Sequence, residues 1–469
     1  MFKPVKLLCL SNGHGEDAIA LRIIRALQQL DHPPEIVALP LVGEGQAYTN
    51  ANIPIIGPVK AMPSGGFVYM DGKQLARDVQ GGLIDLTLSQ IKALREWSKT
   101  GGAVLAIGDI VPLLFAWISG VPYGFIGTAK SEYYLRDENG PIPRLSWFDH
   151  LERWSGSVYL PWERWLMSRP QCKAVIPRDT LTTQILKQWD IPAYDLGNPM
   201  MDHLAPTHAL SYPTLSHAST PPLPHSSTPA PLTIVLLPGS RAPEAHRNWH
   251  LILQSIPSIQ AAIPHRPLVL LAAIAPSLDL SPFLALLSSS QWQSIETSGS
   301  TLGFVLQQSE ERVDWVDDRK PNSLANSLTT AGATETGETG EAIQNPKSKI
   351  QNPLLLLTQN AFNDCIHQAD IAIALAGTAT EQCVGLGKPA ITIPGAGPQF
   401  TPAFAEAQTR LLGPSVIPVS SPDGVGDAIA SLLAHPVQQA HIRENGRSRM
   451  GTPGAAERIA QCLMTVLPY

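Results

Sequence analysis

The chain has 469 residues, 44% of them apolar, and a formal net charge of −6. That length predicts two domains plus extras, and the apolar share excludes global disorder. The mild acidity excludes a dedicated nucleic-acid binder, which needs a basic face.

From the start, short apolar runs alternate with helical patterns. "VKLLCL" (5–10) reads as a strand, and residues 18–30 place Ile19, Ile23, Leu27 and Leu30 on one helical face. "EIVALPLVG" (35–43) is the next strand, followed by a Gly-rich loop at 64–66 and a helix over about 75–97. "AVLAIGD" (103–109) is a strand. The longest apolar run, "IVPLLFAWISGVPYGFIG" (110–127), is broken by Pro112, Gly120, Pro122 and Gly124. It falls short of the roughly 20 unbroken residues of a membrane span and reads as a helix followed by a buried strand. "KAVIPRD" (173–179) and "AYDLGNP" (193–199) add two further strands. Alternation of this kind predicts a doubly wound parallel sheet.

Residues 206–231, "PTHALSYPTLSHASTPPLPHSSTPAP", are too poor in apolar groups to order themselves and read as a disordered linker. The strand–helix rhythm then restarts with "LTIVLLPGSR" (232–241) and "PLVLLAAIA" (267–275). It is interrupted by a polar insertion over about 318–353, and resumes with "LLLLT" (354–358), "IAIAL" (371–375) and "PAITIP" (389–394). The closing "AAERIAQCLMTVL" is a helix with Ile459, Cys462, Leu463 and Val466 on one face. The expected division is a first α/β domain over 1–204, a linker over 205–231 and a second α/β domain over 232–446. Cys9, Cys172, Cys365, Cys383 and Cys462 form no CxxC pair, so most are expected in the core, and the expected setting is reducing and cytoplasmic. "MFKPVKLLCL" is too short to be a signal peptide.

Ligands of open α/β sheets bind beyond the carboxyl ends of the strands, so four strand-following loops carry the chemistry. In "SNGHGED" (11–17), Gly13 and Gly15 permit close backbone approach at a helix start, an anion site, and His14 is a base or a phosphate contact. Glu16 and Asp17 repel anions but suit a helix first turn. In "LLPGSRAPE" (236–244), Ser240 and Arg241 offer a turn and a planar cation that suit a diphosphate; the alternative is an N-cap by Ser240. In "IALAGTATEQCVGLGKPAITIP" (373–394), Gly377, Thr378, Ala379 and Thr380 leave amides free at a helix start. Glu381 lies where a carboxylate can grip ribose hydroxyls. The alternative is a cap by Thr378 or Thr380. In "GAGPQFTPAFAEAQTRLLG" (395–413), Gln399, Glu406 and Gln408 are positioned for sugar hydroxyls or simply for water.

Together these loops resemble those of the GT-B glycosyltransferases of the lipid-A-disaccharide synthase family and its synthase-related branch. "LLPGSRAPE" resembles the family's PGSRxxE motif, "AGTATEQC" its SGTAxLE motif, and "LGNPMMD" (196–202) the G-(H/N)-P-x-x-D stretch. "RMGTPGAAERIA" (449–460) resembles its G-x-x-G-A-A-x-R-I-A ending. "SNGHG" is closer to the histidine-bearing opening loop of the peptidoglycan N-acetylglucosaminyltransferase. The resemblance implies two Rossmann-like doubly wound domains facing a cleft, with the final helix (447–469) crossing back onto the first. It implies a UDP-sugar donor, with Glu381 on ribose, 377–380 on diphosphate, Ser240 and Arg241 nearby, and no cofactor. "IGDIVPLLF" departs from the synthase pattern G-x-D-x-P-D-F by keeping only Asp109, which implies a different acceptor, lipid or lipid-linked.

An inverting transfer needs a base, for which His14 is the first choice and Asp109 the second. No DxD-like pair stands in a suitable loop, so the expected reaction is metal-independent. Trp147, Trp154, Trp162 and Trp165 crowd 146–167 beside Arg153, Arg164 and Arg169. Core packing is the favoured reading, and contact with an anionic membrane surface the other. The rival functions are a UDP-sugar 2-epimerase and a non-catalytic nucleotide-sugar binder. A dinucleotide oxidoreductase is disfavoured, because "NGHGED" is followed by Ala18 as the third member and Asp31 lies after the helix, not at the end of a second strand.

Overall fold

The computed structural model describes residues 5–61, 79–143, 147–207, 230–295, 297, 301–306, 352–395 and 400–467, without the side chains of His14 and 147–149. The glycine-rich loop at 64–66, most of the linker and nearly all of the polar insertion lie outside the described residues.

In the first half, β1 (Lys6–Ser11), β2 (Glu35–Pro40), β3 (Ala103–Gly108) and β4 (Tyr123–Gly127) precede a two-stranded ribbon, β5 (Arg136–Asp137) and β6 (Gly140–Pro141); β7 (Cys172–Ile176) follows. The main sheet has the order β2-β1-β3-β4-β7, all parallel. Alternate strand residues point to opposite faces, and both faces are covered. Leu8 and Leu10 pack with Leu94, Leu113 and Leu166, which come from helices Leu83–Ser98, Ile110–Ile118 and Pro161–Met167. Leu7 and Cys9 face the other way, toward Ile23 and Leu27 of helix His14–Gln28 and Ile459 and Leu463 of helix Ala455–Val466.

The second half contributes β8 (Leu232–Leu237), β9 (Leu268–Ala273), β10 (Trp292–Ile295), β11 (Leu302–Leu306), β12 (Leu354–Thr358), β13 (Ile371–Ala374), β14 (Ala390–Thr392) and β15 (Val416–Pro418). Their order is β10-β11-β12-β9-β8-β13-β14-β15, parallel from β12 to β15 with an antiparallel pair at one edge. In each sheet the chain leaves a central strand to one side and returns on the other. The reversals lie between β1 and β3 and between β8 and β13, where such sheets open a crevice for ligands.

The last helix is tied down by the segment that closes the first half. The Asp202 carboxylate accepts from the amides of Gly454 (2.6 Å), Ala455 (3.0 Å) and Ala456 (2.7 Å), and Arg458 Nε donates to the Leu196 carbonyl at 2.9 Å. The "GNPMMD" and "GTPGAAERIA" motifs are therefore two halves of one capping device.

Several local expectations are corrected. The helix expected over about 75–97 is interrupted: residues 79–80 are helical, Gly82 at φ +93° breaks the run, and helix Leu83–Ser98 follows, while 75–78 lie outside the described residues. Residues 193–199 form a single bridge, Ala193 to Val175, and no strand; Gly197 at φ +84° turns the chain away. Cys462 is half-buried at the rim of its helix, whereas the other four cysteines are buried.

Candidate functional site

At the second crevice, the loop after β8 and the loop after β13 lie side by side, since these strands are hydrogen-bonded neighbours. Asn248, buried on helix Glu244–Gln254, staples them: its Nδ2 donates to the carbonyls of Pro238 (2.9 Å) and Leu375 (3.2 Å). Gly239 needs its glycine, at φ +105° with the Leu375 carbonyl 3.4 Å from where a Cβ would stand. Beyond it, Ser240 is exposed and Arg241 half-buried. The helix here begins only after Pro243, so the N-cap reading of Ser240 fails.

Helix Thr378–Gly385 starts from Gly377 without any side-chain cap, so the cap readings of Thr378 and Thr380 also fail. Thr380 Oγ1 turns back to the Ala376 carbonyl at 2.6 Å, while Thr378 is exposed. A helix's first amides have no partner within it, and those of Thr378 and Ala379 stand at this open end. Gln408, buried on helix Pro402–Leu412, donates Nε2 to the carbonyls of Ala376 (3.1 Å) and Gly377 (3.4 Å); its buried Oε1 accepts nothing among the described residues. Gln399 lies outside the described residues.

Glu381 is engaged. Its Oε2 lies 2.7 Å from Nη2 of Arg178, which follows β7 of the first sheet, and Arg178 Nη1 donates to the Thr128 carbonyl at 3.1 Å. The ion pair bridges the carboxyl end of one sheet and helix Thr378–Gly385 of the other. Sequence inspection did not single out Arg178, because its partner is 203 positions away.

At the first crevice only Asn12 and Gly13 separate strand from helix, and Gly13 adopts φ +129°. The helix therefore includes His14, Gly15, Glu16 and Asp17. Gly15 faces open space, and the side chain of His14 lies outside the described residues. Asp17 is structural: Ser11 Oγ donates to its Oδ1 (2.6 Å) and Tyr48 Oη donates to Ser11 Oγ (2.6 Å), all buried. Asp109 caps helix Ile110–Ile118 by accepting from the Val111 amide at 2.9 Å, and its other oxygen accepts from Asn12 Nδ2 at 3.0 Å. Asp109 thus fills the capping role, at the carboxyl end of β3. Glu16 packs over Gly108 and accepts from Thr128 Oγ1 at 3.3 Å.

Burial pushes the Glu16 carboxyl up to about 7, with the charges of Asp109 and Asp17 adding and the Thr128 bond opposing. Burial also raises the Asp109 carboxyl; the Val111 amide lowers it, Glu163 raises it, and Asn12 and Lys130 lower it. Burial thus favours the protonated form of both carboxyls at the carboxyl end of this sheet, which makes them candidates for proton transfer. Sequence reading passed over Glu16 in favour of His14, because desolvation has no local signal.

A stability measurement checks this. The folded chain holds the Glu16 proton up to about 7, whereas the ordinary carboxyl value is 4.5. Stability from protonation is therefore full below the ordinary value and is lost as pH rises through about 7. Glu16→Gln, which mimics the protonated acid, is expected to raise the thermal midpoint at pH 8 and leave it nearly unchanged at pH 5. Equal shifts at both would exclude the raised value.

No protein-family model matches the chain, and no curated protein matches it in sequence. Solved structures do match. The calicheamicin glycosyltransferase CalG4 aligns with a TM-score of 0.53 at 14% identity, covering 100% of both chains. A protein described as a UDP-N-acetylglucosamine 2-epimerase from Listeria monocytogenes aligns with a TM-score of 0.50 at 10% identity, covering 99% of this chain and 96% of its own. At such identities the likeness establishes architecture alone: the fold is GT-B, built from two Rossmann-like parallel sheets.

Proposed function

We propose that the chain is an inverting, metal-independent glycosyltransferase that moves an N-acetylglucosamine-like sugar from a UDP-sugar to a lipid or lipid-linked acceptor, without a resident cofactor. The observation that carries this reading is the Asn248 staple, which sets the Ser240–Arg241 turn beside the uncapped amino end of helix Thr378–Gly385. A diphosphate there meets free amides and a guanidinium, and developing negative charge on the leaving group is stabilised without reorganisation. Glu381, within the first turns of that helix, is the ribose ligand once Arg178 releases it. The unpartnered Gln408 Oε1 is an acceptor for a donor hydroxyl. The base comes from the first crevice, His14 or Asp109, with Glu16 beside them. A lipid acceptor brings the protein to the cytoplasmic membrane face as a peripheral enzyme; no described helix is long and apolar enough to cross a membrane.

A thermal-shift panel tests the donor. UDP at 100 times its dissociation constant is expected to add about 2.7 kcal/mol, with no effect from NAD or ATP. Stabilisation by NAD or ATP instead of UDP would overturn the proposal. Conversion of UDP-N-acetylglucosamine to its 2-epimer without any acceptor would replace transfer by epimerisation.

A further inference from the structure

The tryptophans of 146–167 whose side chains are described are not core residues, contrary to the favoured sequence reading. Trp154 is 82% exposed, Trp162 53% and Trp165 46%, and Trp117 on the neighbouring helix is 39% exposed. Of the eleven large apolar side chains exposed among the described residues, nine stand between positions 79 and 165, so the exposure is concentrated on one region. Several come as pairs one helical turn apart: Leu114 with Trp117, Leu151 with Trp154, and Trp162 with Trp165. Helices Ile110–Ile118 and Pro161–Met167 pack together on the same face of the first sheet, and the rings of Trp117 and Trp165 meet edge-on at 5.5 Å. Their outward sides make one continuous apolar surface, beyond the singly scattered exposure a free surface carries.

Among the described residues of 150–173 the exposed charges have one sign. Between 150 and 173 the described acids turn inward: Glu152 is buried, and Glu163 is buried against Lys130 at 2.7 Å. Arg153 is exposed and Arg164, Arg169 and Lys173 are half-buried, with the Arg169 guanidinium 4.2 Å from the Trp165 ring centre. A chain of net charge −6 thus presents a positive, indole-bearing face. A second copy is a poor partner, because a two-fold contact would set these like charges against one another. Anionic phospholipid complements both features: indoles settle at the headgroup level and basic side chains meet the phosphates.

We propose that the face formed by helices Ile110–Ile118 and Pro161–Met167, with the end of helix Trp147–Ser155 held beside it where Arg164 Nη2 donates to the Ser155 carbonyl at 2.9 Å, docks on an anionic phospholipid bilayer. It extends the lipid-acceptor reading above, and the test separates the two. The full chain is sedimented with vesicles of phosphatidylcholine containing one quarter phosphatidylglycerol, and with vesicles of phosphatidylcholine alone. Binding to the anionic vesicles only, weakening as salt rises, is expected. The W154S/W162S/W165S variant is expected to lose on the order of 100-fold in partitioning. The R153E/R169E variant is expected to lose about fivefold or more per arginine. Stabilisation by UDP, measured on both variants, reports that the fold and donor site are intact.

Failure of the wild type to bind either vesicle would overturn the proposal. So would equal binding by wild type and both variants, or a dimer that the tryptophan variant dissociates. Vesicle binding without any response to UDP would uphold this surface while removing the transferase reading.

Discussion

Glu381→Ala is expected to destabilise the ligand-free chain by about 3–5 kcal/mol and to abolish the protection that UDP gives. The pair it breaks is short, 2.7 Å, with side-chain exposures of only 7% for Arg178 and 11% for Glu381. Its Coulomb attraction is weakly screened by solvent, but each ion has also lost hydration. Removing one partner leaves the other charged and enclosed, which is where the large penalty arises. Replacing both by methionine should recover most of the loss, because the desolvation cost disappears with the attraction. Chemical denaturation of the two single variants and the double variant measures this. A neutral Glu381→Ala would show that the pair contributes nothing. UDP protection surviving that substitution would show that the nucleotide is held elsewhere. The two outcomes are independent, since one concerns the ligand-free chain and the other the complex.

The pair also bears on mechanism. The carboxylate proposed for the ribose is paired with a guanidinium that follows the other sheet. Under the proposed function, nucleotide entry would exchange one partner for another and release Arg178 toward the diphosphate. Conformational closure coupled to such an exchange needs only differential contacts in the two states.

Asp202→Ala is the second large effect, an expected loss of at least about 3 kcal/mol with release of the last helix. Three amides converge on this one buried carboxylate, and alanine leaves all three without an acceptor. Asp202→Asn keeps an acceptor oxygen and loses the charge, so an intermediate effect is expected. The thermal midpoint reports the magnitude, and limited proteolysis around 451–454 reports the detachment. A wild-type cleavage pattern in Asp202→Ala would refute the capping role.

Much of the fold was legible in the chain. "VKLLCL", "AVLAIGD", "LTIVLLPGSR" and "IAIAL" read as strands and form them, because strand burial on both faces demands an unbroken apolar run. The break at Gly120 and Pro122 divides helix Ile110–Ile118 from β4 as expected. "AYDLGNP" failed as a strand, since a run holding Gly197 and Pro199 has its backbone bent and one donor missing.

The local periodicity of the sequence determined most of the strands and helices and the loops that follow those strands. These properties depend on residues within a turn or two of each other. Tertiary structure alone decided which loops face one another, because that follows from strand order and from the return of the last helix. Arg178 met Glu381 and Asp202 met Ala455 across long stretches of chain, and burial by the fold did most to raise the Glu16 carboxyl. The outward-turned tryptophans belong with these. A helix pattern shows which residues share a side, but only the packing of that helix on the sheet shows which side meets water.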